Sequence, residues 1–273
     1  MANFLARLFG TKNSRELKRM GRLVQQVNDL ESRFTAQTDL VANTASLRQR
    51  LDSGEPLDDL LPEAFAAVRE AVGPEVEIVI DYHTRLDPPD AIKLGRELEA
   101  YDPFFLEDPL RCENPQTYRQ IRQHVSTPLA VGEHYATKWE FRQMIEEELL
   151  DYARIDLCIV GGITEARKIA NWCETHYIKI VPHNPLGPVS AAACLHLDLA
   201  CDNFAVQEAG LVGDPVMKDL FPLQVPYENG YLLPPQSPGL GIEFNEEVAQ
   251  ASYGFQWQNG PQLRRKDGSF TNW

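Results

Sequence analysis

Three acidic residues recur at a constant interval, each directly after a short apolar run. Asp81 follows VEIVI, Glu107 follows PFFL and Glu133 follows PLAVG, so that consecutive members are 26 residues apart. A strand, a loop and a helix take about that many residues, which places the three carboxylates at the C-terminal ends of three successive parallel strands. Because hard divalent cations prefer carboxylate oxygens, the spacing predicts a metal site.

The apolar runs are followed by further polar groups. His83 lies two residues beyond Asp81 and therefore points to the same side of an extended chain. Asp156 lies in the fourth run, YARIDLC, His183 follows the fifth, KIVP, and Glu208 ends the sixth, NFAVQE. Six consecutive predicted strands thus end in carboxylates or imidazoles, a pattern that predicts an active site at one edge of the sheet.

This set of groups predicts a proton-transfer reaction. A Mg²⁺ ion on three carboxylates would bind a substrate carboxylate and stabilise the enediolate that forms when the α-proton leaves. His183 and His83 would form an acid/base pair, in which one removes the α-proton and the other protonates the departing β-hydroxyl, and Asp156 could fix the tautomer of His183. Loss of a β-hydroxyl would complete the dehydration of a polyhydroxy acid. His134, next to Glu133, either lines the site or is an ordinary loop histidine.

Strand-like runs alternate with helical stretches from residue 75 onward. This alternation predicts βαβ units and a parallel sheet, and the repeat of about 25 residues favours a barrel. We therefore predict an α/β fold, a partial TIM-type (β/α) barrel of about six strands, whereas a closed barrel has eight. Residues 1–72 are predicted to be helical, with an amphipathic stripe from Ser14 to Leu30, a helix over about 41–51 and a third helix opened by Pro62.

Composition restricts the classes of partner and the compartment. The net charge of −14 argues against nucleic acid as the main partner, although residues 1–25 carry six cations and one acid. For that basic segment, a solvated helix is favoured over membrane contact. The five cysteines form no CxxC pair, no apolar run is long enough to span a bilayer, and no secretory signal is recognisable. We therefore expect a cytoplasmic protein with reduced cysteines.

Residues 75–245 resemble the C-terminal barrel half of the enolase superfamily, in its acid-sugar dehydratase branch of galactonate and mannonate dehydratases. The matching motifs are DYH (81–83), FLEDPL (105–110), PLAVGE (128–133), GGITEARKIA (161–170), PHNPLGPVSAAACLHLD (182–198), VQE (206–208) and PGLGIEFNEE (238–247). The resemblance implies Mg²⁺ ligation by Asp81, Glu107 and Glu133, acid/base roles for His83 and His183, orientation of His183 by Asp156, and substrate contact by Glu208.

The N-terminal part departs from that family. Superfamily members carry an α+β capping domain and two further barrel strands, for which this sequence has no matching segment. Residues 1–72 instead resemble the N-terminus of the SecA translocation ATPase, in FLARLFGTKNSRELKRM and LRQRLDSGEPLDDLLPEAFAAVREA. The phosphate-binding GxxxxGK[ST] motif is absent from the sequence, so ATPase activity is not expected. We predict a SecA-like segment at 1–72, a truncated barrel at 75–244 and a tail at 245–273.

Two functions follow from these resemblances. The favoured one is a Mg²⁺-dependent hydro-lyase acting on small acid sugars, expected as a homo-oligomer, with activity impaired by the truncation. The alternative is a non-enzymatic chimera whose SecA-like head contacts a membrane or partner helices. The sequence leaves the substrate open, because PHNPLGP is typical of the galactonate type and DGSFTNW of the mannonate type.

Overall fold

The structure is a computed structural model that describes residues 38–209, 217–254, 264 and 268. The chain divides into two compact units, one of residues 1–78 with 229–231 and one of the remaining residues. The predicted amphipathic stripe at Ser14–Leu30 and the basic first 25 residues lie outside the described residues. The boundaries proposed at 72/75 and 244/245 stay predictions.

Among its described residues, the first unit contains two helices that pack against each other, α1 (Thr38–Asp52) and α2 (Leu57–Val72). Gly73, with a φ of +73°, ends α2 as the sequence predicted. The prediction that Pro62 opens this helix was wrong, because α2 begins five residues earlier. Pro62 is the sixth residue of α2, where a proline removes one backbone hydrogen bond, and the helix continues through it.

The second unit is built on a five-stranded parallel sheet with strand order β1-β2-β3-β4-β5. The strands are β1 (Val79–Asp81), β2 (Phe105–Glu107), β3 (Leu129–Val131), β4 (Tyr152–Ala153) and β5 (Lys179–Ile180). The helices that follow them are α3 (Pro88–Leu98), α4 (Tyr118–Arg122), α5 (Lys138–Glu146), α6 (Leu157–Val160), α7 (Gly162–Thr175) and α8 (Pro188–Asp198). Short 3₁₀ turns cover Glu99–Tyr101 and Pro115–Thr117. A two-stranded sheet, β6 (Tyr227–Glu228) and β7 (Tyr231–Leu232), and α9 (Glu246–Ser252) come later in the chain.

The sixth predicted strand forms only one bridge to the sheet. Phe204 pairs in parallel with Ile180, and the Ala205 N–H donates to the Ile180 carbonyl at 3.0 Å. Two residues beyond Ile180, the segment that follows β5 contains Pro182, which has no N–H to continue the ladder. The side-chain amide of Gln207 instead donates to the Pro182 carbonyl at 3.2 Å. The expected six-strand sheet is therefore a five-strand ladder with a sixth segment held beside β5.

Burial follows the position of each strand in the sheet. Every residue of β2 and β3 is buried, whereas β1, at the edge, buries only Ile80 and leaves Val79 exposed. Continuous apolar runs of this kind are typical of parallel strands covered on both faces. Because Asp81 pairs in register with Glu107, the acidic residues that end the strands lie along one edge of the sheet.

Two compositional expectations concern the cysteines and membrane helices. All five cysteines are free thiols, and Cys173 and Cys194 are buried. No helix found among the described residues has both the length and the apolar character needed to cross a bilayer.

Gly132 links β3 to Glu133 with a backbone that other residues rarely adopt. Its φ is +137°, and an added Cβ would lie 2.5 Å from Cε1 of Phe141. We expect Gly132→Ala to lower the free energy of unfolding by about 2–4 kcal/mol, because steric overlap and backbone strain act together. Urea denaturation measures this effect. Gly187→Ala is the matched control, since a Cβ there meets no atom within 4 Å; similar losses in both variants would contradict the interpretation.

Asp198, at the end of α8, is a buried carboxyl group whose oxygens have no hydrogen-bond partner among the described residues. Burial raises its pKa to about 8. Between about pH 4 and pH 8 the folded state holds a proton that the unfolded state releases, so stability falls with rising pH by up to about 1.4 kcal/mol per unit. We expect Asp198→Asn to raise the melting temperature at pH 8 and to change it little at pH 4.

Thermal unfolding followed by circular dichroism at the two pH values tests this expectation. Asp202→Asn, which changes an exposed carboxylate nearby, should leave both melting temperatures unchanged. A variant Asp198→Asn that is less stable than the parent protein at pH 8 would show that the charged carboxylate has a stabilising partner.

Candidate metal and acid–base site

Three buried carboxylates gather at the ends of β2 and β3. Oxygen atoms of Glu107, Asp108 and Glu133 lie within 4.8 Å of one another. Oδ1 of Asp108 accepts a hydrogen bond from the Gly132 N–H at 3.3 Å, whereas Oδ2 has no hydrogen-bond partner among the described residues. A buried set of oxygen donors with an unpartnered oxygen fits a hard divalent cation such as Mg²⁺.

Asp81, the third predicted ligand, lies beside this group. It ends the edge strand β1 opposite Glu107, and its side chain is 45% exposed. Its Oδ1 accepts a hydrogen bond from the His83 N–H at 2.6 Å. Within the described part of the chain, its carboxylate is not a member of the group of three. The structure thus brings two of the predicted ligands together with Asp108 and leaves Asp81 at the rim.

Two histidines contact the same oxygen of Glu133. Nδ1 of His83 lies 3.2 Å from Oε1 of Glu133, and Nε2 of His134 lies 3.3 Å from it. The two imidazole ring centroids are 5.7 Å apart. His134, for which the sequence left two interpretations open, therefore lines the site.

His183 forms a dyad with Asp156. Nδ1 of His183 lies 2.9 Å from Oδ2 of Asp156, while Nε2 faces Glu133 at 3.4 Å. Asp156 also caps α6, because its Oδ1 accepts hydrogen bonds from the N–H groups of Cys158 and Ile159. These contacts fix the carboxylate, which in turn orients the imidazole and turns Nε2 towards the carboxylate group. The contact expected between the two side chains is present, and their chemical roles stay predictions.

Arg154 is a buried residue of the site that the sequence analysis missed. Its Nε lies 2.5 Å from Oε1 of Glu107 and its Nη2 2.5 Å from Oε2 of Glu208. The same oxygen of Glu208 accepts a hydrogen bond from the Asn184 N–H at 2.9 Å. Arg154 lies two residues before Asp156, on the same side of an extended chain, so the alternation rule could have found it.

The acidic groups influence one another's pKa values. Burial raises the pKa of Glu107 to about 7, against the opposing effect of Arg154. Burial also raises the pKa of Glu133, but the contact with His134 and the charge of His183 outweigh burial, so the pKa lies below its usual value. Burial and the charge of Glu133 raise the pKa of Asp81. The carboxylates are therefore crowded, and a bound cation would relieve their repulsion.

The pKa of His183 is raised. Burial lowers it, but the hydrogen bond to Asp156 and the charge of Glu133 together have the larger effect. The ring is thereby suited to accept a proton at Nε2, the nitrogen that faces the carboxylates. A hard-cation site that faces an oriented imidazole can support removal of a proton next to a carboxylate group.

Comparison with protein-family models gives two matches. Residues 48–248 match the enolase C-terminal domain-like family, and residues 5–85 match the SecA DEAD-like domain. The two matched ranges share residues 48–85, so the transition between them is not confined to the predicted junction at 72–75.

Similar proteins include acid-sugar dehydratases. The chain is 42% identical over 214 residues to a D-galactonate dehydratase family member of Streptomyces bingchenggensis, and 41% identical to a D-mannonate dehydratase of Caulobacter. Both alignments cover 78% of this chain and 52% or 53% of the relative. The chain thus spans about half the length of the curated relatives it matches.

Solved structures of enolases are also similar to this chain. An enolase from Pantoea ananatis with bound D-gluconate and Mg superposes with a TM-score of 0.72 at 35% identity, over 78% of this chain and 52% of that one. An enolase from Agrobacterium radiobacter with bound sodium and L-malate gives a TM-score of 0.71 at 32% identity, over 78% of this chain and 58% of that one.

Proposed function

The chain belongs to the enolase C-terminal domain-like family, and from that premise we propose that it serves as a Mg²⁺-dependent dehydratase, a hydro-lyase, of acid sugars. The observation that carries this proposal is the orientation of His183. Its Nδ1 is held by Asp156 at 2.9 Å, and its Nε2 faces Glu133 at 3.4 Å. A base held in this way next to a group of buried carboxylates suits proton abstraction beside a substrate carboxylate.

The proposed Mg²⁺ ligands are Asp81, Glu107 and Glu133. Their oxygens match the preference of Mg²⁺, and the Pantoea relative contains Mg. When bound, the ion would supply positive charge that makes the proton next to the substrate carboxylate more acidic. Arg154, by contacting both Glu107 and Glu208, would hold these two carboxylates in place on either side of its guanidinium.

The two histidines divide the proton transfers in this proposal. Nε2 of His183 takes the α-proton, while Asp156 keeps the proton on Nδ1 and balances the charge that forms on the ring. His83, beside Asp81 on the other side of Glu133, gives a proton to the departing β-hydroxyl group, which leaves as water. Glu208, held by the Asn184 N–H, would contact a substrate hydroxyl or the intermediate.

The substrate is expected among six-carbon aldonates. Relatives named for galactonate and for mannonate are 42% and 41% identical to the chain, so the comparison does not favour one epimer. Incubation of the purified chain with D-galactonate, D-mannonate and D-gluconate should give a 2-keto-3-deoxy acid from at least one of them. The product should form with Mg²⁺ and not with EDTA. If the folded protein forms no product from any of the three acids, the proposal is overturned in favour of the non-enzymatic chimera.

A further inference from the structure

We propose that His83, His134 and Glu133 form a second cation site, one that takes a borderline transition-metal ion such as Zn²⁺. These residues provide two imidazole nitrogens and one carboxylate oxygen within 4.8 Å of one another. Imidazole suits Zn²⁺ and other transition metals, whereas Mg²⁺ prefers oxygen ligands. The donor atoms therefore distinguish this group from the neighbouring set of carboxylates. The proposal stands without dehydratase activity.

The distances from the Glu133 oxygen to the two imidazole nitrogens agree with those between neighbouring ligands of a tetrahedral ion. With metal–ligand bonds of about 2.1 Å, neighbouring ligand atoms of a tetrahedral zinc site lie about 3.4 Å apart. Oε1 of Glu133 lies 3.2 Å from Nδ1 of His83 and 3.3 Å from Nε2 of His134. The oxygen could therefore bind an ion together with either nitrogen with little movement of the side chains, and the fourth position would be left for water.

The burial of one of the two nitrogen atoms supports the proposal further. Nε2 of His134 is buried and has no hydrogen-bond partner among the described residues, although it faces Oε1 of Glu133. Buried polar atoms normally have a hydrogen-bond or metal partner, and an ion at this position would provide one. The side chains of His83 and His134 are 35% and 25% exposed, so an ion can reach the group from solvent. Glu133, the third residue of the group, is almost fully buried.

Occupation of this site would affect the proposed reaction. Glu133 is shared with the proposed Mg²⁺ site, and His83 is the proposed acid. An ion on His83, His134 and Glu133 would therefore remove both from the dehydration, and the site would act as an inhibitory one. The two proposals remain separable, because binding of Zn²⁺ to the Mg²⁺-free protein can be measured whether or not the chain turns over an acid sugar.

Isothermal titration of the tag-free, Mg²⁺-free chain with Zn²⁺ tests the site. We expect one binding event that His134→Gln weakens at least tenfold and that His83→Gln weakens similarly. His124→Gln is the matched control, because the His124 ring lies on α4's C-terminal flank, against the Gln120 carbonyl. Circular dichroism of each variant checks the fold. Equal affinity and stoichiometry in the parent protein and both ligand variants, or the absence of binding to the parent, would overturn the proposal.

The free thiols require a separate experiment. Cys158 is exposed, and Zn²⁺ binds thiolates tightly. Co²⁺ bound at the proposed site should give ligand-field bands of a tetrahedral nitrogen–oxygen complex, without thiolate charge-transfer absorption, and His134→Gln should abolish them. Cys158→Ser should leave the bands unchanged. A thiolate band, or loss of the tetrahedral spectrum in Cys158→Ser, would show that the ion lies on cysteine and would overturn the assignment.

Discussion

Substitution of His183 by asparagine is expected to lower turnover of the active acid sugar by at least about 10³-fold, or about 4 kcal/mol in the barrier. The imidazole is the base in the proposed reaction, and its Nε2 faces the carboxylate group at 3.4 Å from Glu133. Asparagine can still donate a hydrogen bond to Asp156, so the fold should be retained. Initial rates of 2-keto-3-deoxy acid formation, at saturating Mg²⁺, measure the loss.

Two further measurements show whether the loss reflects proton abstraction. Exchange of the substrate α-proton with deuterated solvent should stop in His183→Asn, because that step precedes loss of the hydroxyl group. His124→Asn, at an exposed position between α4 and β3, should leave both rates unchanged. Turnover of His183→Asn within threefold of the parent protein would exclude His183 as the base.

The fold was largely predictable because local patterns determine it. Alternation of apolar runs and helical stretches predicted the parallel sheet, and β1 to β5 follow that prediction in order. The sixth strand was not predictable in its extent. The run NFAVQE has the composition of a strand, but ladder formation also depends on the partner, and Pro182 offers no N–H there. Strand pairing depends on the sequences of both segments, whereas the composition of NFAVQE describes only one of them.

The start of α2 illustrates a different limit. Pro62 predicts a helix that begins there, yet Leu57 is the first helical residue. Proline favours the first helical position, but α2 contains one at its sixth residue, so a proline alone does not fix the boundary of a helix. The segment is also one in which the two family matches overlap, between residues 48 and 85.

The candidate site was predictable where the position of a residue along a strand determines the direction in which its side chain points. Equal spacing brought Glu107 and Glu133 together, and the order of the strands brought His183 to Asp156. Side-chain rotation is not encoded in spacing, and Asp81 accepts from the His83 N–H instead of joining the buried group. Arg154 was overlooked because a buried arginine is expected only where its acidic partners converge, and those partners come from distant parts of the chain.

Replacement of Arg154 by methionine is expected to lower the free energy of unfolding by about 3–5 kcal/mol in the absence of divalent cations. The guanidinium is almost fully buried and lies 2.5 Å from carboxylate oxygens of both Glu107 and Glu208. Methionine fills a similar volume but leaves the buried carboxylate of Glu107 without a cation. Since burial already raises the pKa of Glu107 to about 7, uptake of a proton will offset part of the cost, which favours the lower end of the range. Urea denaturation in EDTA measures the change.

A double-mutant cycle separates the lost charge from lost packing. If the cost of Arg154→Met comes from the unpaired carboxylate, then Glu107→Gln in the same chain should restore at least half of it, because the buried group is then neutral. Mg²⁺ should stabilise Arg154→Met more than the parent protein, since an ion near Glu107 replaces the missing positive charge. If the double variant is as unstable as the sum of its single changes, and Mg²⁺ has equal effects on both proteins, Arg154 acts through packing alone. The proposal that Arg154 holds Glu107 and Glu208 in place at the candidate metal site would then be wrong.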